Sequence, residues 1–370
     1  MGEQTLEQRR TPPVTSASRA GRDGRPGARF ATLVVVLLAA LAVSLTASVA
    51  IGSVWIRPLE VWRIVGALSL GLPTEATWTE ADRNIVWLIR FPRALLGALV
   101  GAGLAVVGVA IQALVRNPLA DPYLLGVSSG ASVGAAAVIV LGALPGLGVY
   151  GLSAAAFLGA LGAVAIVFAI AQQGGQLSPL RLILAGVAVA YVLSALTSLL
   201  IFRAPDSDSV RAVLFWMLGS LAGARWAYLG LPAVILAAGT CYLLLQARSL
   251  NAVLVGEDTA TTLGVDVKRF RLAVLAVASI LTGTLVAVAG AIGFVGLMLP
   301  HVTRLLVGSD HRRVLPVAAL LGASFMIWVD VGARTLAAPQ ELPIGIITAL
   351  IGAPFFVLLL RSRRFGMRAS

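Results

Sequence analysis

Asp330 is the one carboxylate set near the middle of the late apolar runs, and Arg334 follows it four residues later. That spacing puts both groups on one helix face, where an i, i+4 ion pair is the simple outcome. A proton relay would need a chain of partners that the sequence lacks. His301, in "GAIGFVGLMLPH", could touch a metal or haem, but no second His, Cys or carboxylate stands at ligand spacing and HExxH is absent. A backbone-capping role at an irregular helix start is therefore expected for His301. His311 lies in a charged loop and is expected to be solvated. The single cysteine, Cys241, can form no internal disulfide and reads as a small apolar residue. No GxxxxGK[ST] loop occurs, so the chain is not its own ATPase.

The elements that would carry these residues are membrane spans. Of 370 residues 59% are hydrophobic and 12% charged, with mean hydropathy +0.95, the profile of an all-α polytopic membrane protein. Uncharged runs cover 30–56, 94–115, 122–180, 182–202, 226–247, 272–303, 314–329 and 342–360, and about 20 such residues span a bilayer as a helix. The run 122–180 divides at "LGALPGLGVYG" into two helices. The run 272–303 is long for one span and short for two, giving a total of nine or ten. Both ends of the chain are Arg-rich, and if both lie in the cytoplasm the number is even, which favours ten. The net charge of +12 thus reports topology, and a nucleic-acid partner is not expected because no soluble domain exists to carry it. Residues 1–29 read as a disordered basic tail, 30–362 as the permeating domain with its first span retained, and 363–370 as a second basic tail.

Between the spans, the expected cytoplasmic segments are the opening stretch, 172–181, 247–271 and 308–313. The outer ones are 52–93, 203–226 and 334–343. In the longest inner loop, Leu250, Val253, Leu254, Ala260 and Leu263 recur at near-helical spacing, with Gly256 and Gly264 as stops. By pattern alone this segment is either a surface helix for a partner's groove or a solvated connector. "RNPLADPYLLGVSSGAS", 116–132, breaks the apolar pattern with two prolines and a Gly/Ser cluster. Asn117-Pro118 should stop one helix and Asp121-Pro122 turn the chain. Gly97, Gly101 and Gly108, then Gly126, Gly130 and Gly134, are spaced for close helix packing.

Five stretches carry a resemblance. They are "IRFPRALLGALVGAGLAVVGVAIQALVRNPLADPYLLGVSSGASVGA", "RLILAGVAV", "GEDTATTLGV", "AGAIGFVGLMLPHVTRL" and "ELPIGIITALIGAPFF", and they resemble, in order, the permease family of ABC importers for iron chelates and cobalamin. The resemblance implies a ten-helix, multi-pass protein of the cytoplasmic (inner) membrane that is not an enzyme. It implies as partners a second permease copy or paralogue, two cytoplasmic ABC ATPases that hold the ATP and Mg, an extracytoplasmic substrate-binding protein and membrane lipid.

Site residues follow by the same resemblance. A coupling helix within 249–266 would seat in the ATPase through Gly256, Glu257, Asp258, Ala260, Thr261, Leu263 and Gly264. Arg90, Arg93 and Arg334 would dock the binding protein, although interfacial snorkelling also explains arginines there. Asn117, Leu119, Ser178, Pro179 and Leu180 would form the cytoplasmic gate. Pro179 and Leu180 depart from the small hydroxyl residues of the cobalamin permease, which speaks against cobalamin; a ferric siderophore or other iron chelate is the expected cargo, with haem and then cobalamin as alternatives. An ion-coupled secondary transporter or an intramembrane enzyme would need buried polar constellations that the spans do not show.

Overall fold

The computed structural model describes residues 26–73, 77–173, 176–177 and 179–361. Fifteen α-helices follow one another: α1 Pro26–Ala50, α2 Pro58–Leu70, α3 Glu80–Asn84, α4 Phe91–Val115, α5 Val127–Leu141, α6 Gly151–Ala171, α7 Pro179–Phe202, α8 Ser207–Met217, α9 Gly230–Leu245, α10 Ala247–Val255, α11 Glu257–Thr262, α12 Val267–Ala289, α13 Val295–Val307, α14 His311–Thr335 and α15 Ile344–Arg361. A six-residue π-helical stretch, Ile85–Arg90, joins α3 to α4. A two-residue β-hairpin pairs Gln172–Gln173 with Gln176–Leu177 just before α7. Seven helical segments are long and apolar enough to cross a membrane, and α5, α13 and α15 are shorter apolar helices. Helix α1 starts at Pro26, so residues 26–29 are helical and not part of the expected tail; the rest of that tail and residues 363–370 lie outside the described residues.

Helix α4 is the axis of the bundle. It is buried along most of its length and packs on α12, α13 and α14. Its glycines set how close those neighbours come. An added Cβ on Gly101 would strike the Gly322 carbonyl of α14, and one on Gly108 the Gly296 carbonyl of α13. Arg93 with Asp330, Gly97 with Met326 and Gly101 with Gly322 give an antiparallel register between α4 and α14. Gly130 and Gly134 of α5 meet Gly159 and Ala155 of α6 in the same way. Without a hydrophobic force between helices in lipid, such backbone contact supplies the packing energy.

The run 272–303 is two helices. The chain leaves α12 at Gly290, φ +70, and enters α13 through Phe294, φ +68. Backbone groups freed by such a break need partners at membrane depth, and Tyr123 supplies them. Its hydroxyl donates to the Ile292 carbonyl at 3.0 Å and accepts from the Ile292 N–H at 3.0 Å. Within α13, Pro300 has no N–H to offer the Gly296 carbonyl, and Gln112 of α4 donates there instead at 3.3 Å and to the Leu297 carbonyl at 3.2 Å. The segment after α8 closes the same end: Ser220 N–H donates to Ala289 O, while Leu218 O and Gly219 O accept from Gly345 and Ile344 of α15.

His301 is the seventh residue of α13, well past this break, and its ring meets Phe355 edge-on at 6.1 Å. The backbone of the break is completed by Tyr123 instead. Cys241 is exposed on α9. Replacing Gly101 by Val should force α4 and α14 apart at an overpacking cost of about 1–3 kcal/mol. Thermal unfolding in detergent should show a lower midpoint for Gly101→Val, and an unchanged one for Gly162→Ala, whose Cβ would meet open space.

Candidate functional site

Two polar constructions stand at opposite ends of α4. At its N-terminal end, Arg93 is buried at 5% exposure beside Asp330, which is 1% exposed. Arg93 Nε donates to the two Asp330 oxygens at 2.9 and 3.2 Å. Its two Nη groups donate to the two oxygens of Glu341, each at 2.9 Å, the bidentate geometry that suits a guanidinium. Arg334 pairs with the other side of Asp330, Nε to Oδ2 3.1 Å. This i, i+4 pair is the one read from the sequence; Arg93, 237 residues away, is the stronger partner.

The remaining donors of these arginines are spent on α1. Helix α1 ends at Ala50, so its last carbonyls have no helical acceptor role to fill. Arg90 donates to the carbonyls of Val49, Ala50 and Val54 at 2.9, 3.2 and 2.7 Å. Arg334 donates to Ile51 O at 3.2 Å, Ser48 O at 3.0 Å and Ser48 Oγ at 3.1 Å. Basic side chains on a helix C-terminus also suit its dipole. Gly52 makes the approach possible, because a Cβ there would strike the Arg90 guanidinium. Arg90, Arg93 and Arg334, expected to face a docking protein, thus all turn inward onto partners in this chain. Outside them, the Trp226 indole donates to Trp87 O at 2.7 Å, and the two rings meet at 4.5 Å with their planes tilted by 40° beside the π-helical stretch.

At the opposite end lies the segment 249–266, which folds as a hairpin of α10 and α11 about Gly256, with Gly264 at φ +80 after it. Leu250, Val253 and Ala260 are fully buried and seat the hairpin on the bundle. Val255 and Leu263 project outward, 76% and 68% exposed, with Asp258, Thr261 and Thr262 beside them. Asn251 ties α10 to the start of α14: its amide donates to Asp310 Oδ1 at 2.8 Å and its oxygen accepts from the His311 N–H at 3.0 Å. The Asn251 amide, then the Arg312 backbone N–H and the charges of Arg312 and Arg313, holds the Asp310 carboxyl below the ordinary carboxylate range. His311, expected in solvent, is fully buried by this contact. Glu257 opens α11 and ion-pairs with Arg271 of α12 and, at 3.5 Å, with Arg116.

Asn117, Leu119, Pro179 and Leu180 of the expected gate sit at this same end. Arg116 adopts a left-handed conformation and ends α4. The Asn117 side chain then accepts from the Leu119 N–H at 2.9 Å, closing a tight turn on itself. Asp121 accepts from the Tyr123 N–H at 2.8 Å and starts a 3-10 turn. Asn117 is exposed, Leu119 half-buried, and Leu180, in the first turn of α7, exposed. Pro179 opens α7, and Ser178 lies outside the described residues. Among the described residues no group of three or more His, Cys, Asp or Glu is arranged to hold a metal ion.

The charge cluster gives a direct test. Asp330→Ala leaves two buried arginines without their shared carboxylate, a loss of about 3–5 kcal/mol for a broken buried pair. Glu341→Gln, at a half-exposed side chain, should cost roughly 1 kcal/mol or less. Unfolding midpoints of the purified variants should rank wild type, then Glu341→Gln, then far below them Asp330→Ala.

The model of the FecCD transport family matches residues 37–362. The cobalamin import system permease protein BtuC of Halobacterium salinarum is 48% identical over 80% of this chain and 77% of its own length. The hemin transport system permease protein HmuU of Yersinia pestis is 43% identical over 81% and 90%. A solved metal-chelate type ABC transporter in an inward-facing conformation superposes with a TM-score of 0.78 at 33% identity, covering 89% of this chain and 99% of its own. With four-fifths or more of the chain matched in each case, the chain belongs to the FecCD transport family.

Proposed function

We propose that this chain is the membrane permease of a binding-protein-dependent ABC importer, working as a pair with a second copy or paralogue. In this reading the seven long and three shorter apolar helices make ten passes, with both ends of the chain in the cytoplasm. The observation that carries it is the α10–α11 hairpin. It is anchored by buried Leu250, Val253 and Ala260 yet offers Val255 and Leu263 to solvent at the end rich in positive charge, which is costly unless a partner covers them. Two cytoplasmic ATPase subunits are that partner, each receiving one hairpin through Gly256, Glu257, Asp258, Ala260, Thr261, Leu263 and Gly264. ATP and Mg reside on those subunits.

Cargo passes between the two copies along α7 and α15, whose exposed apolar residues include Leu184, Tyr191, Leu199, Leu350 and Ile351. Asn117, Leu119, Ser178, Pro179 and Leu180 close the cytoplasmic mouth. A substrate-binding protein docks on the opposite rim, to which Arg90, Arg93 and Arg334 lend rigidity, since their donors are already engaged. The cargo is a ferric siderophore or other iron chelate. A haem or a cobalamin is the second reading, favoured by the names of the relatives at 43% and 48% identity. A relative at 39% identity, FhuB of Bacillus subtilis, is named for iron(3+)-hydroxamate, so similarity ranks no cargo first.

Leu263→Asp should sharply reduce co-purification of the ATPase while leaving the unfolding midpoint of the permease unchanged, because the side chain buries nothing within the chain. Uptake by the full complex across ferric hydroxamate, ferric citrate, haem and cobalamin should be highest for a ferric siderophore. Highest uptake of cobalamin would instead establish the second reading.

A further inference from the structure

We propose that Glu257 is a positioning residue that joins the coupling hairpin to the inner mouth, by sharing its carboxylate between Arg271 of α12 and Arg116 at the end of α4. The inference rests on the permease reading and names how motion would leave the hairpin. Helix α11 is six residues long, and Ala260 is its one fully buried side chain. Its other described attachment to the bundle is charged: Glu257 Oε1 meets Arg271 Nη2 and, at 3.5 Å, Arg116 Nη2. Arg271 is nearly buried, so it is a fixed post on α12, whereas Arg116 and Glu257 are each close to half exposed.

The position of Arg116 gives the second pair its meaning. It caps α4 in a left-handed conformation, its N–H bonded back to Ala113 O and that of Asn117 to Gln112 O, so its backbone moves with the helix. The next residues are the Asn117–Leu119 turn of the proposed gate. The other end of α4 is clamped by Arg93 on Asp330 and Glu341. A push on α11 therefore reaches the gate turn through one short ionic link. A half-exposed pair at this distance adds little to stability, so it can open and reform during a cycle and can be removed without unfolding the chain. A carboxylate that merely favoured the α11 dipole would need neither arginine.

The test uses the permease co-expressed with its ATPase in lipid vesicles, with a spin label on a cysteine at 117 reporting the distance between the two copies, with and without ATP–vanadate. In the labelled parent the distance should shift on adding ATP–vanadate. Arg116→Glu and Arg116→Gln should keep ATPase co-purification and the unfolding midpoint but lose at least half of that shift, and Glu257→Gln should lose it likewise. Arg116→Lys, which restores the charge, should recover it. A full shift in Arg116→Glu and Glu257→Gln would overturn the link, as would loss of ATPase binding in the Arg116 variants, which would make the pair a docking contact. Failure of the parent chain to retain the ATPase at all would instead overturn the permease reading beneath it.

Discussion

A carboxylate buried among membrane helices survives as a charge only if it is matched, and Asp330 is matched twice, by Arg93 from α4 and Arg334 from its own helix. Without it Arg334 would lose its carboxylate partner and Arg93 would keep only Glu341, and a buried charge left short of its partner costs several kcal/mol. Through this one group α4 and α14 are held in register, the loop carrying Glu341 is drawn onto Arg93, and the spare donors of Arg334 are aimed at the end of α1. The glycine contacts further down α4 and α14 depend on the same register. A slip of one residue would put Cβ atoms where backbone now meets backbone.

With that end fixed, the chain departs from regular helix where another group has been provided to complete its hydrogen bonds. The break between α12 and α13 has Tyr123, and the carbonyl that Pro300 leaves open in α13 has Gln112; the end of α1 has Arg90 and Arg334; the π-helical stretch has the Trp226 indole. In lipid these provisions are a condition of folding, since water is not at hand. The apolar tip of the α10–α11 hairpin, Val255 and Leu263, is left uncovered within the chain, as the proposed contact with an ATPase needs.

The sequence made legible whatever depends on neighbours along the chain. The spans, the turn at 141–151, the break after α12, the glycine stripes and the Asp330–Arg334 pair all rest on local spacing, as do the stops at Gly256 and Gly264. What stayed hidden depends on residues far apart. The pairings of Arg93 with Asp330 and Glu341, of Glu257 with Arg116 and of His311 with Asn251 cross many elements, and that of Glu257 with Arg271 spans the turn between α11 and α12. His311 has the charged neighbours Asp310, Arg312 and Arg313, which suggest solvent, while the start of α14, capped by Asp310, is packed against α10. The direction of the three arginines follows from Asp330 and from the carbonyls at the end of α1, partners that local spacing does not show except for the Asp330–Arg334 pair. The short amphipathic α2, with Val61, Ile64 and Val65 turned inward, was read as part of an outer segment because its apolar face is too brief to resemble a span.

The central claim is that the energy for transport comes from a separate ATPase acting on the hairpin. It is tested most directly by uptake of a ferric chelate into vesicles holding the permease, its ATPase and the binding protein. Uptake should require enclosed ATP and persist when proton and sodium gradients are collapsed. Accumulation by the permease alone, driven by an ion gradient and indifferent to ATP, would contradict the account.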